Sequence, residues 1–204
     1  MDDAAPAPAV DPAVVILAGG EGRRIGGGKP LRRLAGATLI DHAVRQARAL
    51  SPIVAISVRD RGQLGAIAGM PLLVDRQGEG PIAGIAAALG FARSQGLSFV
   101  LTIPCDTPLL PPDLLIRLSG ALGAEHGAAV ATSGANIHPS CALWRSRTAE
   151  MLPAYLASGR SSLKGFAAEV GMVEVDWPAS PFDPFFNVNN NADLAAAEAR
   201  IRSL

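Results

Sequence analysis

The most restrictive feature of this sequence is a glycine-rich, basic segment that follows its first apolar run. Residues 14–17 form a short apolar run rich in β-branched side chains, as in a buried strand. Six of the ten residues from 19 to 28 are glycine. Such a loop exposes backbone N–H groups that can surround an anion. Arg23, Arg24 and Lys29 add positive charge to the same segment. The pattern favours a polyphosphate site over a solvated surface loop.

Neither of the two common phosphate-binding loops fits this segment. A Walker A loop requires G-x-x-x-x-G-K-[ST], but Pro30 follows Lys29 and Arg23 stands where the first glycine is required. A dinucleotide fingerprint requires G-x-G-x-x-G, and Ile25 replaces its third glycine. The sequence therefore predicts a phosphate-binding loop of another class.

Predicted strands and helices alternate along the chain. Strands are predicted at 14–17, 53–58, 72–74, 99–103, 127–132, 142–144 and 172–175. Helices are predicted at 39–50, 82–95, 113–122, 148–157, 162–170 and 191–204. Because the strands are continuously apolar, we expect a Rossmann-like α/β three-layer sandwich, with a mainly parallel sheet covered by helices on both faces. A single domain at 13–204 is expected to follow a disordered, Ala/Pro-rich leader at 1–12.

Charge and hydropathy argue against several classes of partner. The 18 basic and 18 acidic residues leave no positive excess for a nucleic-acid backbone. We find neither an apolar stretch of about 18 residues nor a basic run for a membrane surface. The N-terminus lacks the pattern of a secretory signal, and Cys105 and Cys141 form no metal or disulfide framework. We therefore expect a cytoplasmic protein with no nucleic-acid or membrane partner.

An acidic side chain lies just after the fourth predicted strand, in the segment Pro104-Cys105-Asp106-Thr107-Pro108. A carboxylate at the end of a buried strand is costly unless it is paired or bound to a metal. Asp106 is suited to hold Mg²⁺, which can bridge triphosphate oxygens. The alternative is a turn or cap, which Asp also favours. Cys105 is interpreted as a small buried residue and not as a nucleophile.

A series of motifs resembles the molybdenum cofactor guanylyltransferase family, a branch of the molybdenum-cofactor nucleotidyltransferases that shares its fold with sugar-nucleotide pyrophosphorylases. The series opens with LAGGEGRRIG at 17–26, followed by Lys29-Pro30-Leu31. The later motifs are GPIAG at 80–84, PCDTP at 104–108, HP at 138–139, GRSSL at 159–163 and NVN at 187–189. The resemblance extends from about residue 14 to residue 199, and the ordered series is more specific than any one motif.

The resemblance implies a reaction. GMP would pass from GTP to the phosphate of molybdopterin or Mo-molybdopterin, giving a guanine dinucleotide cofactor and pyrophosphate, with Mg²⁺ as cofactor. The acceptor phosphate would attack the α-phosphorus in line, so no protein nucleophile is needed. Lys29, Arg23 and Arg24 would stabilise the triphosphate and the departing pyrophosphate, and Asp106 would hold the metal. Transient contact with molybdoenzymes or their chaperones is also implied.

The resemblance also implies two sets of binding residues. The nucleotide-binding residues would be Leu17, Ala18, Gly19, Gly20, Lys29, Asp75, Gly80, Pro81 and Asp106. The acceptor-binding residues would be Asn187, Asn189, His138 and Arg160. Several of these have a structural alternative: a loop cap for Asp75, helix packing for Gly80, and a solvated surface position for Arg160. For the Asn-rich segment the alternative is a turn followed by a helix N-cap, with Asn191 as the expected cap.

Two departures from the family pattern leave alternatives open. Residues 54–58 lack the Asn that the family commonly carries on its second strand near the base, so a CTP-dependent molybdopterin cytidylyltransferase remains an alternative. After Asn189 the family usually has TPEDL, whereas this chain has NNADL. A sugar-1-phosphate nucleotidyltransferase and a non-catalytic nucleotide-binding protein are further alternatives. The NVN and HP motifs argue against the first, and Lys29 with Asp106 argues against the second.

Overall fold

The computed structural model of this protein describes residues 11–19, 28–64, 69–74 and 80–203. The strands are β1 (Ala13–Leu17), β2 (Arg33–Leu34), β3 (Ala37–Thr38), β4 (Val54–Val58), β5 (Leu72–Val74), β6 (Phe99–Pro104), β7 (Ala128–Ser133), β8 (Asn136–Arg145) and β9 (Met172–Trp177). The helices are α1 (Leu39–Leu50), α2 (Pro81–Ser94), α3 (Leu114–Ala121), α4 (Leu152–Ala157), α5 (Leu163–Glu169) and α6 (Asn191–Arg202). Residues 1–10 of the expected leader lie outside the described residues, so that expectation stays a prediction.

Seven strands form one sheet in the order β5-β4-β1-β6-β8-β7-β9. Every neighbouring pair is parallel except the two that contain β8, which runs antiparallel to both β6 and β7. The prediction of a mainly parallel sheet is confirmed. β1 lies between β4 and β6, so the loop that follows it starts at the carboxyl edge of the sheet, where such folds bind ligands.

Alternate residues of β1 face two separate apolar cores. Val14 and Ile16 belong to a cluster that includes α1 and α3, whereas Ala13 and Val15 belong to a cluster that includes α2, α4 and α5. All four residues are fully buried. A strand covered on both faces must be apolar at every position, which is why it reads as a continuous apolar run. The predicted three-layer α/β sandwich is confirmed.

The sequence prediction omitted the short strands β2 and β3, and two of the predicted elements differ in the structure. β8 was predicted only at 142–144 but extends from Asn136 to Arg145, so His138 lies within the strand and not ahead of it. Its first half is only partly buried and a register shift lies opposite Val130, so no apolar run marks it. The helix predicted at 148–157 is instead a 3-10 turn, Ser146–Glu150, followed by α4. Pro153, near the start of α4, lacks the N–H that a continuous helix would need there.

A small third apolar cluster connects the segment around β2 with the C-terminal helix α6. α6 packs against β2, which forms a two-stranded ribbon with β3. The buried residues of the cluster are Leu34 of β2, Leu39 of α1, Val188, and Ala197 of α6. This cluster fixes the C-terminal segment beside the residues that precede β2. Within the described ranges, each helix is too short or too polar to cross a membrane.

Candidate active site

Lys29 is held in place by the turn that carries it. It begins the 3-10 turn Lys29–Leu31, and Gly28 before it adopts φ 59°, ψ 30°, a left-handed conformation that glycine reaches without strain. Only 8% of Lys29 is exposed. The β2–β3 ribbon and its contact with α6 follow immediately, so the backbone on this side of the lysine is anchored in the third cluster.

Three predicted site residues meet at the Lys29 ammonium. Its Nζ donates a hydrogen bond to Asp106 Oδ2 at 2.5 Å and another to Asn189 Oδ1 at 2.8 Å. These partners are 77 and 160 residues away along the chain. We call Lys29, Asp106 and Asn189 the Lys29 cluster. The fold therefore assembles residues from the glycine-rich segment, the end of β6 and the segment before α6.

The C-terminal Asn motif is docked on the end of β6. The Val188 N–H donates to the Asp106 carbonyl at 2.9 Å, and Thr107 Oγ1 donates to Asn187 Oδ1 at 2.7 Å. Thr107 is 1% exposed, so the donor of this contact is buried, whereas its acceptor Asn187 lies at the surface. The paired contacts place Asn187 and Asn189 on either side of buried Val188. Sequence reasoning did not single out Thr107, although it lies next to Asp106 in the PCDTP motif.

The Lys29–Asp106 ion pair is partly buried, with side-chain exposures of 10% and 21%. Shelter from water strengthens such a pair but makes either charge costly on its own. An ammonium has three N–H groups. Within the described residues two of them go to Asp106 and Asn189, so the third can bind an incoming phosphate oxygen.

The oxygens of this cluster fit a magnesium ion that is shared with a substrate. Lys29 donates to Oδ2 of the half-buried Asp106 carboxylate, and the other oxygen, Oδ1, is of the type that Mg²⁺ binds. No group of three or more His, Cys, Asp or Glu side chains suited to a metal occurs among the described residues. Mg²⁺ in nucleotide enzymes commonly takes one or two carboxylates and completes its shell with phosphates and water. A single aspartate is compatible with that arrangement and not with a metal cage built by protein alone.

The end of β1 lies against the same edge of the sheet. Ala18 N–H donates to the Ser57 carbonyl at 2.9 Å, and the Leu17 carbonyl accepts from Cys105 N–H at 3.1 Å. Gly19, half-buried, is the last described residue before the glycine-rich segment. The remaining predicted loop residues, and the aspartate expected at the guanosine, lie outside the described residues: Gly20, Arg23, Arg24 and Asp75. Their roles stay predictions.

α2 begins at the predicted Gly80-Pro81 segment. Gly80 adopts φ 70°, ψ −152°, which side chains rarely tolerate, and Pro81 occupies the first helical turn. Ile82 and Ala83 are buried against the sheet. A Cβ on Gly80 would meet no atom within 4 Å, so the backbone conformation and not close packing accounts for this glycine, and the contact of the segment with a nucleotide stays a prediction.

His138 lies beside the segment that carries the Asn motif. Its Nε2 is 2.7 Å from Ser133 Oγ, and its ring stacks on Phe185 with 4.8 Å between centroids. Burial lowers the pKa of His138, and the nearby charge of Asp183 opposes that shift. His138 therefore supports Phe185, two residues before Asn187, and its predicted contact with the acceptor stays a prediction.

Arg160 is engaged elsewhere. Its Nη1 is 2.9 Å from Glu169 Oε2, and its guanidinium lies 4.4 Å from the ring centroid of Tyr155. The hydrogen bond to Glu169 raises the pKa of Arg160. These contacts lie between α4 and α5, on the face of the sheet that α2 also covers. No contact of Arg160 with the Lys29 cluster is seen in the described part of the chain. Its acceptor role stays a prediction.

The helix cap after the Asn motif is Asn190, and the expectation of Asn191 was wrong. Asn190 Oδ1 accepts from Asp193 N–H at 3.0 Å, and Asp193 Oδ2 accepts from Asn190 N–H at 3.1 Å, which is a capping box. Asp193 Oδ2 also accepts from Asn189 N–H at 2.7 Å. Three consecutive Asn residues made the cap ambiguous in sequence. The altered helix start thus retains its capping function and fixes the backbone of Asn189.

Asn190→Ala is expected to lower the free energy of unfolding by about 1 kcal/mol, the usual cost of losing a side-chain cap. The matched control is Asn191→Ala, which removes the same side chain one residue into α6. Urea denaturation of both variants measures the difference. Equal destabilisation by the two substitutions would contradict the assignment of the cap.

The sequence is similar to a known protein family along most of its length. The family model described as "MobA-like NTP transferase domain" matches residues 14–171. A molybdenum cofactor guanylyltransferase from Acidiphilium cryptum is 42% identical over 189 residues, covering 91% of this chain and 93% of its own. One from Cereibacter sphaeroides is 39% identical over 189 residues, covering 92% and 96%. The chain belongs to the molybdenum cofactor guanylyltransferase family of MobA-like NTP transferases. The resemblance drawn from the motifs is confirmed.

Solved structures agree on the fold. Molybdopterin-guanine dinucleotide biosynthesis protein A from Archaeoglobus fulgidus superposes with a TM-score of 0.77 at 24% identity, covering 94% of this chain and 100% of its own. A CMP:2-keto-3-deoxy-manno-octonic acid synthetase complexed with CTP gives a TM-score of 0.73 at 14% identity, covering 95% and 99%. At these identities the likeness concerns the fold alone. It confirms a nucleotidyltransferase-like α/β architecture for this member of the guanylyltransferase family.

Proposed function

We propose that this protein transfers GMP from GTP to the phosphate of molybdopterin or Mo-molybdopterin and releases pyrophosphate. The observation that carries the proposal is the Lys29 cluster at the carboxyl edge of the sheet, in a chain of the molybdenum cofactor guanylyltransferase family. It combines one sheltered cation, one carboxylate and one amide beside the end of a glycine-rich segment. This set suits a polyphosphate with its metal. We place the reaction in the cytoplasm, with transient contact to recipient molybdoenzymes or their chaperones.

The residues of the cluster act by binding and by charge. The Lys29 ammonium neutralises phosphate oxygens, and its two protein contacts hold it in place before the substrate arrives. Asn189 holds the ammonium through a second hydrogen bond, and Asp106 would hold Mg²⁺. When bound, Mg²⁺ supplies further charge neutralisation at the phosphates. Arg23 and Arg24 are assigned to the triphosphate on the resemblance alone.

No residue of the described chain is needed as a covalent nucleophile. Cys105 is adjacent to Asp106, but it is 6% exposed, and burial together with the neighbouring carboxylate raises the pKa of its thiol. A thiol is a good nucleophile only as a thiolate. Direct attack by the acceptor phosphate on the α-phosphorus is therefore the step that this chemistry supports.

The acceptor is assigned to the side of the site formed by the Asn motif and His138. Asn187 and Asn189 are exposed. Their side-chain oxygens accept from Thr107 and Lys29, so their amide N–H groups are the donors that they would offer to the edge of a pterin. The stack of His138 on Phe185 supports this segment from beneath. The contact between Arg160 and the acceptor is kept as a separate proposal, since its present partner is Glu169.

A competition assay tests the proposal. Purified protein, Mg²⁺ and molybdopterin or Mo-molybdopterin are mixed with equimolar GTP and CTP, and the products are resolved by mass. We expect the guanine dinucleotide and stoichiometric pyrophosphate. A cytosine product would assign the chain to CTP-dependent chemistry, an alternative that stays open because residues 54–58 lack the Asn that the family commonly carries there. Release of no pyrophosphate would refute nucleotidyl transfer to this acceptor, and sugar-1-phosphates would be tried next.

A further inference from the structure

One side chain of the turn after β4 is hydrogen-bonded to the backbone just after β1. Gln63, in the 3-10 turn Arg61–Gln63, donates from Nε2 to the Ala18 carbonyl at 2.5 Å. Its Oε1 accepts from Arg59 N–H at 3.3 Å. Since a carbonyl only accepts and a backbone N–H only donates, the two contacts fix which way round the amide lies. Buried Leu64 anchors the turn in the core.

The contact lies one residue beyond the end of β1. Within the ladder, the Leu17 carbonyl points to β6, where it accepts from Cys105, and Ala18 N–H points to β4, where it donates to Ser57. The next carbonyl, that of Ala18, points back to the β4 side because Gln63 binds it there. The hydrogen bond from Gln63 thus continues, by one residue beyond the strand ladder, the alternation of backbone groups between the β4 side and the β6 side.

A planar trans peptide has its N–H opposite its carbonyl. With the Ala18 carbonyl turned to the β4 side, the Gly19 N–H faces the β6 side. There Asp106 follows β6 and carries Lys29 on its carboxylate. We infer that Gln63 is a positioning residue that fixes the Ala18–Gly19 peptide with its N–H directed at the phosphates of the nucleotide.

The ligand chemistry follows from the groups that this arrangement brings together. A directed backbone N–H and a sheltered ammonium on one side of β1 favour an anion that accepts hydrogen bonds, as phosphate does. Gly19 has no side chain to restrict rotation of the Ala18–Gly19 peptide, so the Gln63 amide is the contact that holds this peptide in one orientation. The inference rests on the proposed use of a nucleoside triphosphate and adds a residue outside the family motifs quoted above.

Binding of GTP and of pyrophosphate tests this role. In Gln63→Ala we expect the Kd for each, measured by isothermal titration with Mg²⁺, to rise roughly tenfold, which is the loss of about one hydrogen bond to a charged group. Gln63→Glu has nearly the same shape but cannot donate as a carboxylate, and we expect at least the same loss. The matched control is Gln95→Ala, which removes an exposed glutamine at the other end of α2 and should bind both ligands as the wild type does.

The outcomes separate this inference from the proposed function. Wild-type affinity in both Gln63 variants, or weaker GTP binding with unchanged pyrophosphate binding, would refute the positioning of a phosphate-binding N–H. If Gln63→Ala fails to fold, Gln63→Glu decides, with its melting temperature measured alongside. A wild-type protein that binds no GTP would refute the proposed function itself and this inference with it. If the wild type binds GTP and both Gln63 variants bind GTP and pyrophosphate with the same Kd as the wild type, only the role of Gln63 is refuted.

Discussion

Asp106→Asn is expected to lower kcat for guanylyl transfer by roughly 10²–10³-fold, the cost typical of removing one electrostatic group from a preorganised site. The amide has almost the shape of the carboxylate, and its oxygen can still accept from Lys29 Nζ, so the 2.5 Å contact has a replacement. What disappears is the negative charge that would hold Mg²⁺. Initial rates of pyrophosphate release at several Mg²⁺ concentrations measure the effect.

The Mg²⁺ dependence distinguishes a metal ligand from a merely structural carboxylate. If Asp106 holds the ion, the variant needs more Mg²⁺ for its residual activity, and its melting temperature stays close to that of the wild type. Asp176→Asn is the matched control, because it removes one carboxylate from β9, with β8 and β7 between that strand and β6. Wild-type turnover in Asp106→Asn would eliminate the proposed metal site.

The fold was predictable because its central strands are buried on both faces. β1 is continuously apolar and β6 is nearly so, with Thr102 as its one polar residue, and that pattern is sufficient to indicate a parallel sheet with helices on each side. The same rule fails for the first half of β8, where His138 and its neighbours are only partly buried. A strand with mixed exposure and a register shift leaves no simple period in the sequence.

Different parts of the site were predictable for different reasons. Asp106 is recognisable from local chemistry, since a carboxylate after a buried strand needs a partner. The contact of Lys29 with Asn189 joins residues 160 positions apart, so no spacing rule anticipates it, and only the family motifs placed both in one site. Gln63 belongs to none of the family motifs, and no hydrophobic periodicity singles it out. Its role depends on where a turn brings its amide, which only the three-dimensional structure shows.

Lys29→Met is expected to lower kcat by roughly 10²–10³-fold, because it removes the only ammonium of the Lys29 cluster without removing the aliphatic bulk. It should also lower the free energy of unfolding by about 1–3 kcal/mol, because Asp106 is then left partly buried with no ion-pair partner among the described residues. Rates of pyrophosphate release and urea denaturation measure the two effects. The control Lys164→Met removes an exposed lysine on α5 and should change neither.

A double variant separates the two effects of Lys29→Met. In Lys29→Met/Asp106→Leu no unpaired carboxylate remains, so we expect the free energy of unfolding to return most of the way to the wild-type value, while turnover stays as low as in the weaker single variant. Stability regained without activity would mean that the ion pair exists for the reaction and not for the fold. If the double variant instead stayed as unstable as Lys29→Met, the cost would arise from packing around the 3-10 turn. Full turnover in Lys29→Met would refute the assignment of this ammonium to the triphosphate.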